Sequence, residues 1–427
     1  MPKNNRKSKA HHQVANDFSD EDLSNDAASV YSYQSDHNPG ESVEDVPENT
    51  IEKYEDKLIQ AIENASEKSQ QTRIGALQAI SEVFMHNCLY DFLDERRVTI
   101  MDIIEKSLKR GKGQEQAIAA RLAALLLIQL QGDEDIAKTL SPLLNHIVLD
   151  KSASSEARSK SCLSLALMQF LSGEDNVGDT IILCQMFEGI FSGSYLKGDS
   201  SPSSASQDAS TLHAAALGSW ALLLTLIPPS DIVSLIQTKQ IGTFKNLMGL
   251  LQSQHLDVRT TAGEAIALLL ECGRIHDDEF LEEYIDQLIE ITKQLSTDSQ
   301  KFRAKRDRKQ QRATFRDVLH YIEDETLPDI QVQVGSGISK ETLTLDSWTL
   351  HHQYDSICNA LGSGMHFHLF ENDLLRDVFG MGERLDSTQI SNAKLSKTEK
   401  KAIQAASFKA RTLTRGKNRD KRSAVVN

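Results

Sequence analysis

The chain has 427 residues, 39% of them hydrophobic, 25% charged and 6% aromatic, with a formal net charge of −14. That is long enough for two or three domains and a sizeable core. Its five cysteines (Cys88, Cys162, Cys184, Cys272 and Cys358) are odd in number and form no C-x-x-C, which argues against a disulfide framework or a cysteine zinc site and fits a reducing compartment.

The start, MPKNNRKSKAHHQ, is polar and lacks an apolar run, so no signal peptide is expected. Residues 17–48 carry ten carboxylates and no Lys or Arg. Residues 1–48 therefore read as a disordered acidic tail, too polar to bury enough surface to offset ordering entropy.

From residue 49 the pattern is helical and recurs. Asp257-Val-Arg259 is followed by Ala262, Ala265 and Leu268, a three-residue spacing that keeps small side chains on one helix face for close packing. Related stretches begin at Arg73, Ala117, Arg158 and His213, giving spacings of 44, 41, 55 and 46 residues. Three of these lie near the roughly 40–47-residue period of HEAT and armadillo repeats. The long one contains GDSSPSSASQDAS (198–210), which reads as a flexible loop. The sequence thus predicts an all-α protein, an armadillo/HEAT-like right-handed helical solenoid over residues 49–325. Pro142, Pro202, Pro228 and Pro229 are expected between helices. The longest apolar stretch, Leu212–Ile227, holds His213, ends at two prolines and is too short to span a bilayer.

After Pro328 the period changes to two. Ile330, Val332 and Val334 alternate with Gln, as do Leu343 and Leu345 with Thr, around GSG at 335–337, which predicts one β-hairpin. Residues 326–393 form a small C-terminal domain of hairpin plus helices, broken near 362–364. Residues 394–427 read as a basic terminal helix and tail, with eleven basic residues against Glu399 and Asp420.

No phosphate-binding loop, dinucleotide fingerprint, nucleophile elbow or metalloprotease motif is present. His351-His352 and His366-Phe-His368 match no standard metal spacing and are expected at the surface or facing a partner. Asp277-Asp278 and Glu282-Glu283 read as an exposed acidic helix face. A solenoid is expected to lack a deep, water-excluding pocket. The chain is therefore read as a binding protein, with no catalytic residue, metal, cofactor or small-molecule substrate.

The basic segments carry the functional signal. In 301–316, Lys301, Lys305, Arg308 and Arg312 recur every three to four residues, Arg303, Arg306 and Lys309 fill an adjacent stripe, and Arg316 follows. Phe302, Phe315 and Val318 would anchor this cationic helix to the solenoid. Lys409, Arg411, Arg415, Lys417, Arg419, Lys421 and Arg422 form the second group. Arginine forks suit phosphate oxygens, and with one aromatic nearby the expected mode is backbone and shape recognition of nucleic acid.

Four segments, KFRAKRDRKQQRATFRDVL (301–319), ERRVTIMDIIEKSLKRGK (95–112), LGSGMHFHLFENDLLRDVF (361–379) and ASFKARTLTRGKNRDKR (406–422), resemble the interferon-related developmental regulator family in the same order. The resemblance implies an armadillo-like N-terminal region, a shorter C-terminal domain and two functional readings. One is a ribosome-binding factor that occupies the tRNA sites of non-translating ribosomes, with its C-terminal helix in the mRNA channel, and represses translation. The other is a nuclear transcriptional co-regulator that recruits a histone deacetylase corepressor. The basic segments favour the first, with ribosomal RNA phosphates as partner and no membrane. Both cytoplasm and nucleus are expected, because residues 417–422 also suit nuclear import.

Overall fold

A computed structural model describes residues 48–172, 176–297, 304–327, 329–335 and 340–384. The acidic tail up to residue 47 and the terminal basic segment lie outside the described residues.

Short polar residues start the helices. Ser69, Ser154 and Ser206 each accept a hydrogen bond from the backbone N–H three residues on, opening α2 (Gln70–His86), α6 (Ser155–Leu171) and α8 (Gln207–Leu224). Asp133 and Asn176 cap α5 (Glu134–Leu149) and α7 (Val177–Phe191) in the same way. The remaining solenoid helices are α1 (Glu48–Asn64), α3 (Tyr90–Arg110), α4 (Gln114–Gln129), α9 (Pro229–Gln237), α10 (Phe244–Leu250), α11 (Leu256–Arg274), α12 (Ile285–Thr297) and α13 (Lys305–Asp324). An inner row runs α2, α4, α6, α8, α11, α13, each packed on the next, while α3, α5 and α7 pack outside it. This is the predicted all-α solenoid, and the recurring sequence units are the inner helices.

The inner helices are buried on nearly every side because both row neighbours and an outer helix cover them. In α4 every residue from Leu122 to Gln129 is buried, so apolar and small residues run continuously there. The repeated arginine has a structural duty. Arg73 donates to the carbonyls of Glu67 and Lys68 at 3.1 and 2.9 Å, Arg158 to Val148 at 3.0 Å, and Arg259 to Ser253 at 2.5 Å. Arg73 and Arg259 tie their helices to the loops that precede them, and Arg158 ties α6 to the last turn of α5. Arg73 and Arg259 also reach the next inner helix, through Glu115 (2.7 Å) and Gln311 (2.8 Å).

Two expectations need correction. Arg73, Ala117, Arg158 and Arg259 are each the fourth residue of their helix, so the matching residue in α8 is Ser210, not His213. The three-residue slip is nearly one turn, which leaves both residues on a similar face. Pro142 lies inside α5. It is tolerated because it sits on the exposed face of an outer helix, where its ring meets no neighbouring helix.

Strands β1 (Ile330–Val334) and β2 (Glu341–Leu345) pair antiparallel, with Val332 opposite Leu343. Val332, Val334, Leu343 and Leu345 are buried on one face, as the alternation requires. Then α14 (Trp348–Leu361), a short 3-10 turn (Gly362–Gly364), α15 (Met365–Glu371) and α16 (Asp373–Val378) lie back on the inner row. Glu271 of α11 accepts from the backbone N–H of Trp348 at 2.7 Å and of Thr349 at 3.0 Å, at the start of α14. Arg121 of α4 donates to the Ala360 carbonyl at 2.8 Å, at its end. His368 Nε2 donates to the Phe84 carbonyl (2.8 Å), and Asn372 donates to that of Ile128 (3.0 Å). The C-terminal elements therefore cover mainly the C-terminal halves of the inner helices and share one hydrophobic core with them.

The tightest seam is at Gly364, where an added Cβ would stand 1.8 Å from the Met85 carbonyl oxygen of α2. Gly364→Ala should destabilise the protein by about 1–3 kcal/mol. Gly189→Ala, exposed within α7 with open space around it, should instead stabilise by about 0.5–1 kcal/mol. Urea unfolding of the two variants checks both signs.

Candidate nucleic-acid interface and a polar groove

Helix α13 divides its sequence among three faces. Gln311, Phe315, Val318 and Ile322 are buried at helical spacing and seat the helix on α11 and α12. Gln310, Ala313, Thr314 and Asp317 line a cavity. Lys305, Lys309, Arg312 and Arg316 fall on the third face, spaced four, three and four apart, and are half-buried to exposed. Arg306 is exposed beside them. The expected stripe through Arg308 is rephased: Arg308 shares the helical phase of Gln311 and Phe315, and its Nε is enclosed without a hydrogen-bond partner. Phe315 fixes this phase, since its ring abuts the Cα of Gly263 on α11. Lys301, Phe302 and Arg303 lie outside the described residues, as do Lys409, Arg411, Arg415, Lys417, Arg419, Lys421 and Arg422. The basic edge from Lys305 to Arg316 spans three turns, about 16 Å.

The expectation that a solenoid would lack a deep pocket is also corrected. The N-terminal halves of α6, α8 and α11, left uncovered by the C-terminal elements, form a groove with α13 and α14 as walls and a volume of about 750 Å³. Its lining includes six carboxylates (Glu156, Asp208, Asp257, Glu264, Asp317 and Asp355) and one lysine, Lys160. Glu156, Asp208 and Asp257 are each the second residue of their helix, where the helix dipole favours a negative charge. The sequence carried this signal in the acid two residues before Arg158 and Arg259. The slip in register at α8 hid its third member.

Depth in the groove shifts the titrating groups, although Glu264 and Asp355 keep an edge toward solvent. Burial, with Asp355 and Asp317 nearby, raises Glu264 to about 8. Burial raises Asp355 to about 7 and Asp317 to about 6. His351 and His352, expected at the surface, are buried on α14. Burial lowers them to about 3 and about 4. His368 is fully buried and lowered to about 4 for the same first reason. The helical phase of α14 turns these rings inward, where they act as core side chains. Asp277-Asp278 and Glu282-Glu283 fall in a turn and a short 3-10 helix, not on a helix face. Among the described residues, no group of three or more His, Cys, Asp or Glu could hold a metal, and no helix is long and apolar enough to cross a membrane.

Fold and surfaces define a helical-repeat scaffold with a basic outer edge and an acidic inner groove. The family model described as "Interferon-related developmental regulator" matches residues 27–323, and that described as "Interferon-related protein conserved region" matches residues 372–423. The chain belongs to the interferon-related developmental regulator family. It is 37% identical over 424 residues to interferon-related developmental regulator 1 of Mus musculus and of Homo sapiens, in both cases over 97% of this chain and 92% of the relative. It is 38% identical over 395 residues to regulator 2 of Mus musculus, over 91% of this chain and 86% of that one.

The shifted groups set a pH dependence. Raised carboxylates hold protons in the fold that the unfolded chain has released, so they cost stability as pH rises from the ordinary carboxylate range, about 4, through about 8. The lowered histidines cost stability as pH falls below their ordinary value of 6.5, where only the unfolded chain gains the proton. Between pH 6.5 and 8 the carboxylate effect dominates, since the thiols, also raised by burial, add theirs only as the pH nears 9. Thermal midpoints measured from pH 6.5 to 8 should decline, and Glu264→Gln should flatten that decline.

Proposed function

We propose that this protein is a non-enzymatic ribosome-binding factor that grips ribosomal RNA phosphates, occupies non-translating ribosomes and represses translation. The observation that carries the reading is the single-faced basic edge of α13, Lys305, Lys309, Arg312 and Arg316, set on a rigidly seated helix at the end of the solenoid. A fixed row of cations suits a phosphate backbone, because neutralised phosphates release counterions whatever the base sequence. The basic residues from Lys409 to Arg422 supply a second grip on the same partner. Family membership is consistent with this role without selecting it over corepressor recruitment in the nucleus, which is the competing reading.

Cosedimentation with vacant ribosomes tests the proposal. If about six phosphates are neutralised, log affinity should fall against log salt with a slope of roughly −4 to −5. Replacing Lys305, Arg306, Lys309 and Arg316 together with Ala should weaken binding at least tenfold with little change in thermal midpoint, and Glu should be worse than Ala. Arg308→Ala should lower the midpoint, because that residue sits on the packed face. Absence of wild-type cosedimentation at roughly 100 mM salt would reject the ribosome reading and leave the co-regulator role in its place.

A further inference from the structure

We propose that the acidic groove holds the chain's own basic C-terminal segment, residues 394–427, when the protein is free of nucleic acid. The docking itself is independent of the ribosome reading. Only its consequence, competition between groove and phosphate for the same cations, rests on it.

Charge points to the class of occupant. Six carboxyl groups face the groove against one lysine, of which Glu264 and Asp355, raised by burial, ionise fully only when a cation joins them, and the segment carries a net +9. Helix N-termini ordinarily attract anions. Here Glu156, Asp208 and Asp257 already fill that role on three adjacent helices, so the groove mouth presents carboxylates to whatever enters.

Orphaned polar atoms point to the same occupant independently. Trp348 Nε1, His352 Nε2, Ser219 Oγ and Asp355 Oδ1 have no hydrogen-bond partner. All four residues line the groove, and Trp348, Ser219 and His352 are 2%, 2% and 7% exposed. Leaving such buried groups unpaired costs stability that an occupant would restore. Asp355 Oδ1 is an acceptor when ionised, Trp348 can only donate, and Ser219 Oγ can do either. The site therefore asks for both N–H donors and a carbonyl, which a Lys- or Arg-bearing peptide supplies from side chain and main chain together. An anion supplies no donors.

Space and reach agree. The floor is made of small residues, Ala214, Ala215, Gly218 and Thr261 among them, so extended backbone can approach the helices. The described chain ends at Arg384, which is held to Glu371 at 2.7 Å and stacked 4.3 Å over the Phe370 ring, on α15. From there residues 385–393 can span about 30 Å when extended. The groove wall, α14, is about 21 Å long and is separated from α15 by one short turn.

Carbodiimide cross-linking of the full chain without RNA at low salt tests the idea, because it joins lysine amines to carboxylates in direct contact. An equal mixture of ¹⁴N- and ¹⁵N-labelled chains separates contacts within a chain from contacts between copies. Links from lysines 394–421 to groove carboxylates are expected, with no mixed-isotope species among them. The combined substitution Glu156→Gln, Asp208→Asn and Asp257→Asn should cut the yield at the remaining groove carboxylates at least fivefold. These three side chains are exposed, so the fold should survive, with circular dichroism as the check. The single substitution Asp355→Asn should lower the yield by itself while leaving the lysines intact. Absence of links to the groove, groove links of which about half join the two isotopes, or a yield unmoved by both variants would each overturn the proposal.

Discussion

Helix α14 is held at its two ends by solenoid side chains of opposite charge. The Glu271 carboxylate meets the first-turn N–H groups of Trp348 and Thr349, and the Arg121 guanidinium meets the carbonyl of Ala360 in the last turn. Both signs oppose the helix dipole and satisfy backbone groups that no helix can pair internally. Burial works against the Arg121 charge, but an arginine stays protonated under that strain. The same placement turns His351, His352 and Trp348 inward and gives the groove its wall. It also carries the hairpin and α15 to their seats.

The electrostatics of the molecule follow from that arrangement. On α13, Asp317 faces the groove while Lys309 and Arg312 face outward, so opposite fields occupy two sides of one helix. At this separation, on the order of a Debye length in physiological salt, the outer edge keeps a positive potential despite the acidic body. The overall net charge of −14 is therefore a poor guide to partners.

Much of the fold could be read from the chain because its repeats are local. Small residues at three-residue spacing marked five of the six inner helices, and period-two alternation placed the two strands to within a residue. The readings that failed depend on neighbours distant in sequence. Pro142 looked like a break because its surroundings, an exposed outer face, cannot be known from the helix alone. His351 and His352 looked like surface residues because the helices that bury them lie tens to hundreds of positions earlier. The basic stripe was visible, but its phase was not, since Phe315 packing on Gly263 decides which cations turn outward. The groove draws its lining from five helices, each contributing a few polar residues that look unremarkable alone.

The C-terminal elements touch every inner helix from α2 to α11. An open solenoid behaves as a spring, with curvature that breathes and end repeats that fray independently. Here a strap fastened at Gly364 against α2 and at Glu271 on α11 spans the inner row. Loosening any one repeat must strain a contact shared with the others. The curvature is thereby fixed, and the array should unfold as one cooperative body instead of peeling from its ends.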